Sequence, residues 1–356
     1  MLRSASLAGP KPGRERETLG RIARRRVLHD KAAHGRTFFA AAFVGAALSG
    51  GVAADTLAQP QDNALERRAA DYVSFRQDIA AIEATPFDSA DTTREAHKRL
   101  SAHTANALSG GWVAYAALVA AATPDFVEAL RKDMKKGASG GLKGRDAFLT
   151  RLSADPSYAR KLEGADAAAL RVLAMTAQDV YRFAALGEAF KAQAYAMQKT
   201  AWGKSRIAVS AARLTEADDY ARARGPAPAP ALAVSTEKGV SAPVLASADA
   251  AWSPDWGAQG AAGDNQEPNA QVIMDRVLNL AARYAVGAMN EKIIEVYARN
   301  DRADQCLSMA TLTLRQCIAA TRAPYEEAFC LGEHALIDTA SCVGWVAGAG
   351  ADRIEG

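Results

Sequence analysis

Four cysteines, Cys306, Cys317, Cys330 and Cys342, all lie in the last 51 residues of a 356-residue chain, and their spacing constrains the fold more than any other feature. At 100° per residue, Cys306 and Cys317 return to within about 20° of one helix face, while Cys330 and Cys342 straddle another about 120° apart. Thr321-Arg322-Ala323-Pro324 lies between the pairs, and proline suits the first turn of a second helix, where its missing N–H has no partner to lose. The expected unit is an antiparallel helical hairpin. Facing residues in such a hairpin have nearly constant number sums, and Cys306 with Cys342 gives 648 while Cys317 with Cys330 gives 647. Nested bridges therefore close at one register. Pairing within a helix would span about 16 to 18 Å at 1.5 Å per residue, more than a disulfide can bridge, and the crossed pairing fails for the same reason.

The arrangement resembles the twin-cysteine helical hairpins of oxidatively folded mitochondrial intermembrane proteins. The resemblance covers only the cysteine-bearing stretch, and the ten and eleven residues that separate the cysteines here are wider than that family's spacing. It implies shared geometry without shared ancestry. Zinc is the other use of four thiols, but zinc cysteines come in close pairs two to four residues apart, and these do not.

If the second helix runs from Tyr325 to Val346, then Glu327, Leu331, His334, Asp338, Cys342 and Trp345 cluster within about 60° of one another. His334 and Asp338 form an i,i+4 pair on the face that carries the bridges. By the sum rule, Thr313 and Met309 or Ala310 stand opposite. The expectation is a structural His–Asp pair with Thr313 as a further partner; the functional alternative is a base or ligand at His334, oriented by Asp338 and joined by Glu327 or Glu333. One histidine and one or two carboxylates leave a zinc site incomplete, so no metal and no cofactor is expected. His97 and His103 are six apart, on different helix faces, and receive no assignment. No P-loop, HExxH, GxSxG, dinucleotide fingerprint or EF-hand loop is present in the sequence.

The N-terminal region reads as a targeting segment, residues 1–54. Thr37 to Ala54 is an uncharged apolar run after a basic stretch, and Val52 and Ala54 occupy the positions a signal peptidase reads, which places cleavage before Asp55. Arg24, Arg25 and Arg26 are separated from the run by His29 to Arg36, unlike a twin-arginine signal. A translation start near Val27 or Leu28 would leave a secretory signal of ordinary length, and a retained anchor is the alternative to cleavage. Removing residues 1–54 takes away ten basic and three acidic groups from 43 and 40, so the net charge of +3 becomes −4. The basicity belongs to targeting, and no case for nucleic acid or anionic lipid survives.

Within residues 55–224 nearly every segment has helical apolar spacing. Asp91, Thr92 and Thr93 stand as caps, Gly110 and Gly111 as a break before a short apolar core helix from Trp112 to Ala122, and Thr123-Pro124 as a restart with Thr123 as cap. Gly137 to Gly144 reads as a loop. The longest helix runs from Ala165 to Trp202, and Arg206 to Arg224 closes the bundle. Residues 225–268 hold six prolines and five acids against one base, the composition of a linker. Trp252 and Trp256 inside it are candidate partner contacts. Helix resumes over 269–356, with Asp301 as a cap.

The fold expected is all-α: an N-terminal helical bundle, a mobile Pro/Ala-rich linker, and a C-terminal domain made of the disulfide-clamped hairpin and one extra helix. The leading functional expectation is a periplasmic or secreted protein that binds another envelope protein or a cell-wall component, with no nucleic-acid partner and no stable membrane span after cleavage. Two alternatives stand beside it. One is a peptidoglycan-directed hydrolase with a helix-borne carboxylate as general acid; the other is a metal-binding module around His334 and Asp338.

Overall fold

The helix that organises the fold is the one the sequence makes most apolar. The computed structural model describes residues 64–136, 144–224 and 268–347, and in it every residue from Leu108 to Ala120 of helix α3 (Ala105–Ala121) is buried. An apolar helix of this kind must be covered on all sides. Helix α1 (Ala64–Glu83) lies along one side and α8 (Pro268–Ala285) along another, with α6 (Ala165–Met197) and α10 (Asp301–Ala320) completing the cover.

Gly110 and Gly111 do not break this helix. They sit inside α3, where their missing side chains let α1 approach: a Cβ on Gly111 would fall 2.8 Å from the Tyr72 backbone nitrogen. Glycine costs a helix roughly 0.5–1 kcal/mol relative to alanine, and here close helix contact offsets it.

The remaining elements follow the helical spacing closely. Helix α2 (Ala90–Ser101) is capped by Ser89, which accepts from the Thr92 N–H while Thr92 Oγ1 accepts from the Ser89 N–H, so the cap stands two residues before Asp91. Helix α4 (Pro124–Lys136) starts as expected, although Thr123 Oγ1 makes no hydrogen bond. The glycine-rich stretch lies almost wholly outside the described residues, and α5 (Gly144–Ala154) begins at its last glycine. A 3-10 turn, Tyr158–Lys161, leads into α6. Helix α7 (Ser210–Ala223) follows a turn-rich connection after α6. Two helices, α8 and the short α9 (Glu291–Tyr297), precede the hairpin where one was expected. Helix α10 is capped by Asn300, whose side chain accepts from the Ala303 N–H, with Asp301 as the first helical residue instead of the cap.

The hairpin itself has the nested bridges. Cys306 pairs with Cys342 and Cys317 with Cys330, at Cα separations of 5.4 and 5.7 Å. Its second arm is helical from Pro324 to Ala347 but not uniformly α. It reads α11 (Pro324–Cys330), a π-helical stretch over Leu331–Ile337, α12 (Asp338–Gly344) and a 3-10 turn at Trp345–Ala347. The π stretch presses on α6 where glycine faces glycine: a Cβ on Gly332 would lie 2.6 Å from the Gly187 carbonyl oxygen.

The stretches on either side of residues 225–267 pack into one core. Helix α8 lies on α3, and α11 with the π stretch lies on α6; all described residues belong to one compact unit, Asp55–Gly356. The shared core has a physical reason. Neither α3 nor α6 can bury its apolar surface with the helices of one stretch alone. Residues 1–54 and 225–267, including Trp252 and Trp256, lie outside the described residues. Among the described residues there is no strand, and no single helix is long and apolar enough to cross a membrane.

Candidate functional site

His334 and Asp338 meet as the helical spacing requires, with Nδ1 2.8 Å from Oδ2. His334 lines a small cavity of about 30 Å³, the volume of one water, together with Ser101, His103, Thr311 and Thr339. Ser101 Oγ is buried without a hydrogen-bond partner. Ser101, His103 and His334 thus border one space that Asp338 does not line, and Ser101 makes no hydrogen bond to either imidazole.

Glu327 and Thr313 do not join this pair. Glu327 stands in α11 and His334 inside the π stretch that follows it, where each residue rotates less than the 100° of an α-helix, which turns the two side chains apart. Thr311, Leu314 and Arg315 of α10 stand at the cavity with His334, while the Thr313 hydroxyl donates to the Met309 carbonyl of its own helix.

Glu327 instead closes a buried charge network under α7. Arg213, 1% exposed, donates from Nη1 to Glu327 Oε1 at 2.6 Å, from Nη2 to Thr321 Oγ1 at 2.8 Å and from Nε to the Ala208 carbonyl at 3.0 Å. His97 Nδ1 lies 2.8 Å from the same Glu327 oxygen but off the hydrogen-bonding axis, so Arg213 supplies the directed bond. Burial pushes the Glu327 pKa up; His97 and Arg213 outweigh it and hold the carboxyl below its ordinary value.

A second network ties the other end of α7 to α1. Asp78 accepts from Tyr220 at 2.8 Å, from Arg99 at 3.1 Å and from Arg224 at 2.5 Å, and lies 2.8 Å from His103 Nε2. Burial raises the Asp78 pKa, but the hydrogen bonds from His103 and Tyr220 and the Arg224 charge bring it below its usual value. Burial pushes the His103 imidazole down. Two further buried carboxylates are also held by arginine: Asp179 accepts from Arg76 Nε and from the Tyr72 hydroxyl, both at 3.0 Å, and Glu83 takes a bidentate Arg182. Burial still raises the Glu83 pKa against that arginine.

The surface feature of different character is a groove at the end of the hairpin that carries Cys317–Cys330. One half is a notch of about 370 Å³ lined by both bridge cysteines, Tyr195, Tyr325 and Phe329. The other is a wider hollow of about 980 Å³ lined by Lys204, Arg206, Val209 and Arg322. Gln198, Thr321 and Tyr325 line both, which makes the two halves continuous. Tyr195 is 61% and Val209 72% exposed. Lys204, Arg206 and Arg322 are exposed and form no ion pair with a described acid. Glu326, the carboxylate at the notch, is engaged: Oε2 accepts from the backbone N–H groups of Arg322 and Ala323, and Oε1 from the Tyr325 hydroxyl.

Sequence spacing does not locate this groove. Its walls come from the end of α6, the stretch before α7 and the hairpin turn, far apart in the chain. The available signal is that Lys199, Lys204 and Arg206 run without an intervening acid. No group of three or more His, Cys, Asp or Glu side chains suited to a metal ion occurs among the described residues. Compared with known proteins, the chain matches no family model, no curated protein and no solved structure.

Proposed function

We propose that the chain is an exported envelope protein that binds another envelope protein through the groove beside Cys317–Cys330. The observation that carries this reading is the continuity of an apolar, aromatic-walled notch with a hollow bearing three cations that pair with no described acid. Exposed aromatic surface beside uncompensated charge is what an interface offers, whereas the chain's interior charges are matched at close range. Export is supported by the two disulfides, which persist in oxidising compartments, and by the apolar run before Asp55.

The buried carboxylates do not serve the hydrolase reading, which looks for an accessible, poorly paired acid: Asp78, Glu83, Asp179 and Glu327 are buried on arginines. The metal reading needs donors that His334 and Asp338 do not gather around them. The test is capture from detergent-solubilised envelope with the tagged mature chain, beside Tyr195→Ser and Lys204→Glu/Arg206→Glu variants of equal thermal stability. The reading expects one dominant co-purifying protein that both variants lose. Identical capture by wild type and variants would remove the groove from the function.

A further inference from the structure

The two halves of the groove present different chemistry along one line. The notch is mainly apolar and ends at a disulfide and two aromatic rings, Tyr195 and Phe329, whose centroids are 6.3 Å apart in an edge-to-face arrangement. The hollow carries Lys204, Arg206 and Arg322 and no acidic side chain. Resting on the binding role above, we propose that the occupant is an extended acidic peptide segment of a partner protein, with one aromatic side chain in the notch and its carboxylates along the three cations.

Two observations select this chemistry. The three cations pair with no described acid, whereas buried arginines such as Arg76, Arg182 and Arg213 are ion-paired, so the local field attracts acids from outside. The notch adjoins the cations and offers aromatic faces, which a free inorganic anion would leave unused; an aromatic side chain buries there and stacks.

The chain's own acidic segment is a poor occupant in cis, although it carries Trp252 and Trp256. Helix α8 starts beside the Tyr158–Lys161 turn, where Arg160 donates to the Gln271 carbonyl at 2.6 Å and pairs with Asp275 at 2.8 Å. That turn leads into the first residue of α6, and the notch lies thirty residues further along the helix at Tyr195, roughly 45 Å away at 1.5 Å per residue. Trp256 precedes Pro268 by twelve residues, which reach at most about 43 Å fully extended. Trp252 could arrive only with most of the intervening chain drawn straight, at a cost in chain entropy. The partner in trans is the favoured occupant.

The test uses the mature chain, residues 55–356, and a fluorescein-labelled ten-residue peptide with four glutamates and one central tryptophan, read by anisotropy. The expected result is saturable binding that weakens at least tenfold with Lys204→Glu/Arg206→Glu, at least tenfold with Tyr195→Ser, and at least tenfold when the peptide's tryptophan is alanine. Melting temperatures of both protein variants should match wild type, which separates a lost site from a lost fold. Absence of binding overturns the proposal. So does equal affinity for the tryptophan-free peptide, or full competition by millimolar inorganic phosphate or by vesicles of phosphatidylglycerol, since each describes a simple anion site. If envelope capture depends on the groove variants while the peptide fails to bind, the binding role stands and the acidic-aromatic occupant falls. Photocrosslinking at position 195 that joins it to residues 252–256 of the same molecule would likewise replace the partner by the chain itself.

Discussion

Arg213 and Arg206 stand seven residues apart and live in opposite surroundings. Arg213 is 1% exposed and held by Glu327, Thr321 and the Ala208 carbonyl; Arg206 is exposed in the groove and pairs with no described acid. A charge taken out of water must be matched, because its desolvation cost is several kcal/mol. A charge left in water need not be matched, so an unpaired cluster is free to serve recognition. The comparison teaches that substitutions under α7 should register as stability and substitutions in the groove as binding.

The largest effect that could break the comparison is at the buried pair. Glu327→Gln should cost about 3–5 kcal/mol in urea unfolding, since it leaves Arg213 buried against a neutral partner; a loss below about 1 kcal/mol would mean that the network under α7 is not needed for the fold. The disulfides come next. In the chain-entropy account, removing Cys306–Cys342, which spans 36 positions, should cost about 4 kcal/mol, and removing Cys317–Cys330, which spans 13, about 3 kcal/mol. The second bridge also lines the notch, so its removal should weaken binding, whereas removal of the first should leave binding per folded molecule unchanged.

Gly332→Ala should destabilise by about 1–3 kcal/mol, because its Cβ would enter the Gly187 carbonyl. A smaller effect concerns pH. His103 has a folded-state pKa below its ordinary 6.5, so its contribution is complete above 6.5 and is lost as the pH falls below that value. Asp78, Asp71, Arg99, Arg224 and Tyr220 are the charged and titratable groups around it. Denaturant melts should show stability falling between pH 7 and pH 5, with a shallower slope in His103→Asn. The carboxylates Asp78 and Glu327, held low in the fold, add their losses only at more acidic pH. The smallest effect is in the groove, where Arg206→Ala should change stability by less than about 0.5 kcal/mol. A larger loss would show that Arg206 supports the fold and does not belong with the binding residues.

Much of the helical architecture was legible because helical periodicity is local. The apolar run at Trp112 to Ala122, the long spine after Ala165 and the start at Pro324 follow from spacing and proline chemistry alone. The glycines at 110 and 111 misled because a glycine pair reads as a break unless the neighbouring helix that needs the space is known. Ser89 and Asn300 took the capping roles expected of nearby aspartates, since any short polar side chain in that neighbourhood can serve and the backbone decides which does. At the candidate site, His334 with Asp338 was legible as an i,i+4 pair. Glu327 with His97 and Arg213 was not, since those residues lie on three different helices.

The sequence by itself determined the disulfide connectivity. Bridge formation is short-ranged, and two antiparallel helices of these lengths offer one register that satisfies both pairs. It also determined that the chain would be helical, because apolar spacing and caps act within a few residues. Only the tertiary structure decided that the helices on both sides of residues 225–267 share one core, that the second arm turns π-helical around His334, and that Lys204, Arg206 and Arg322 meet beside the Cys317–Cys330 bridge. Those outcomes depend on which surfaces remain to be buried once every helix has formed, and that is a property of the whole packing, not of any local pattern.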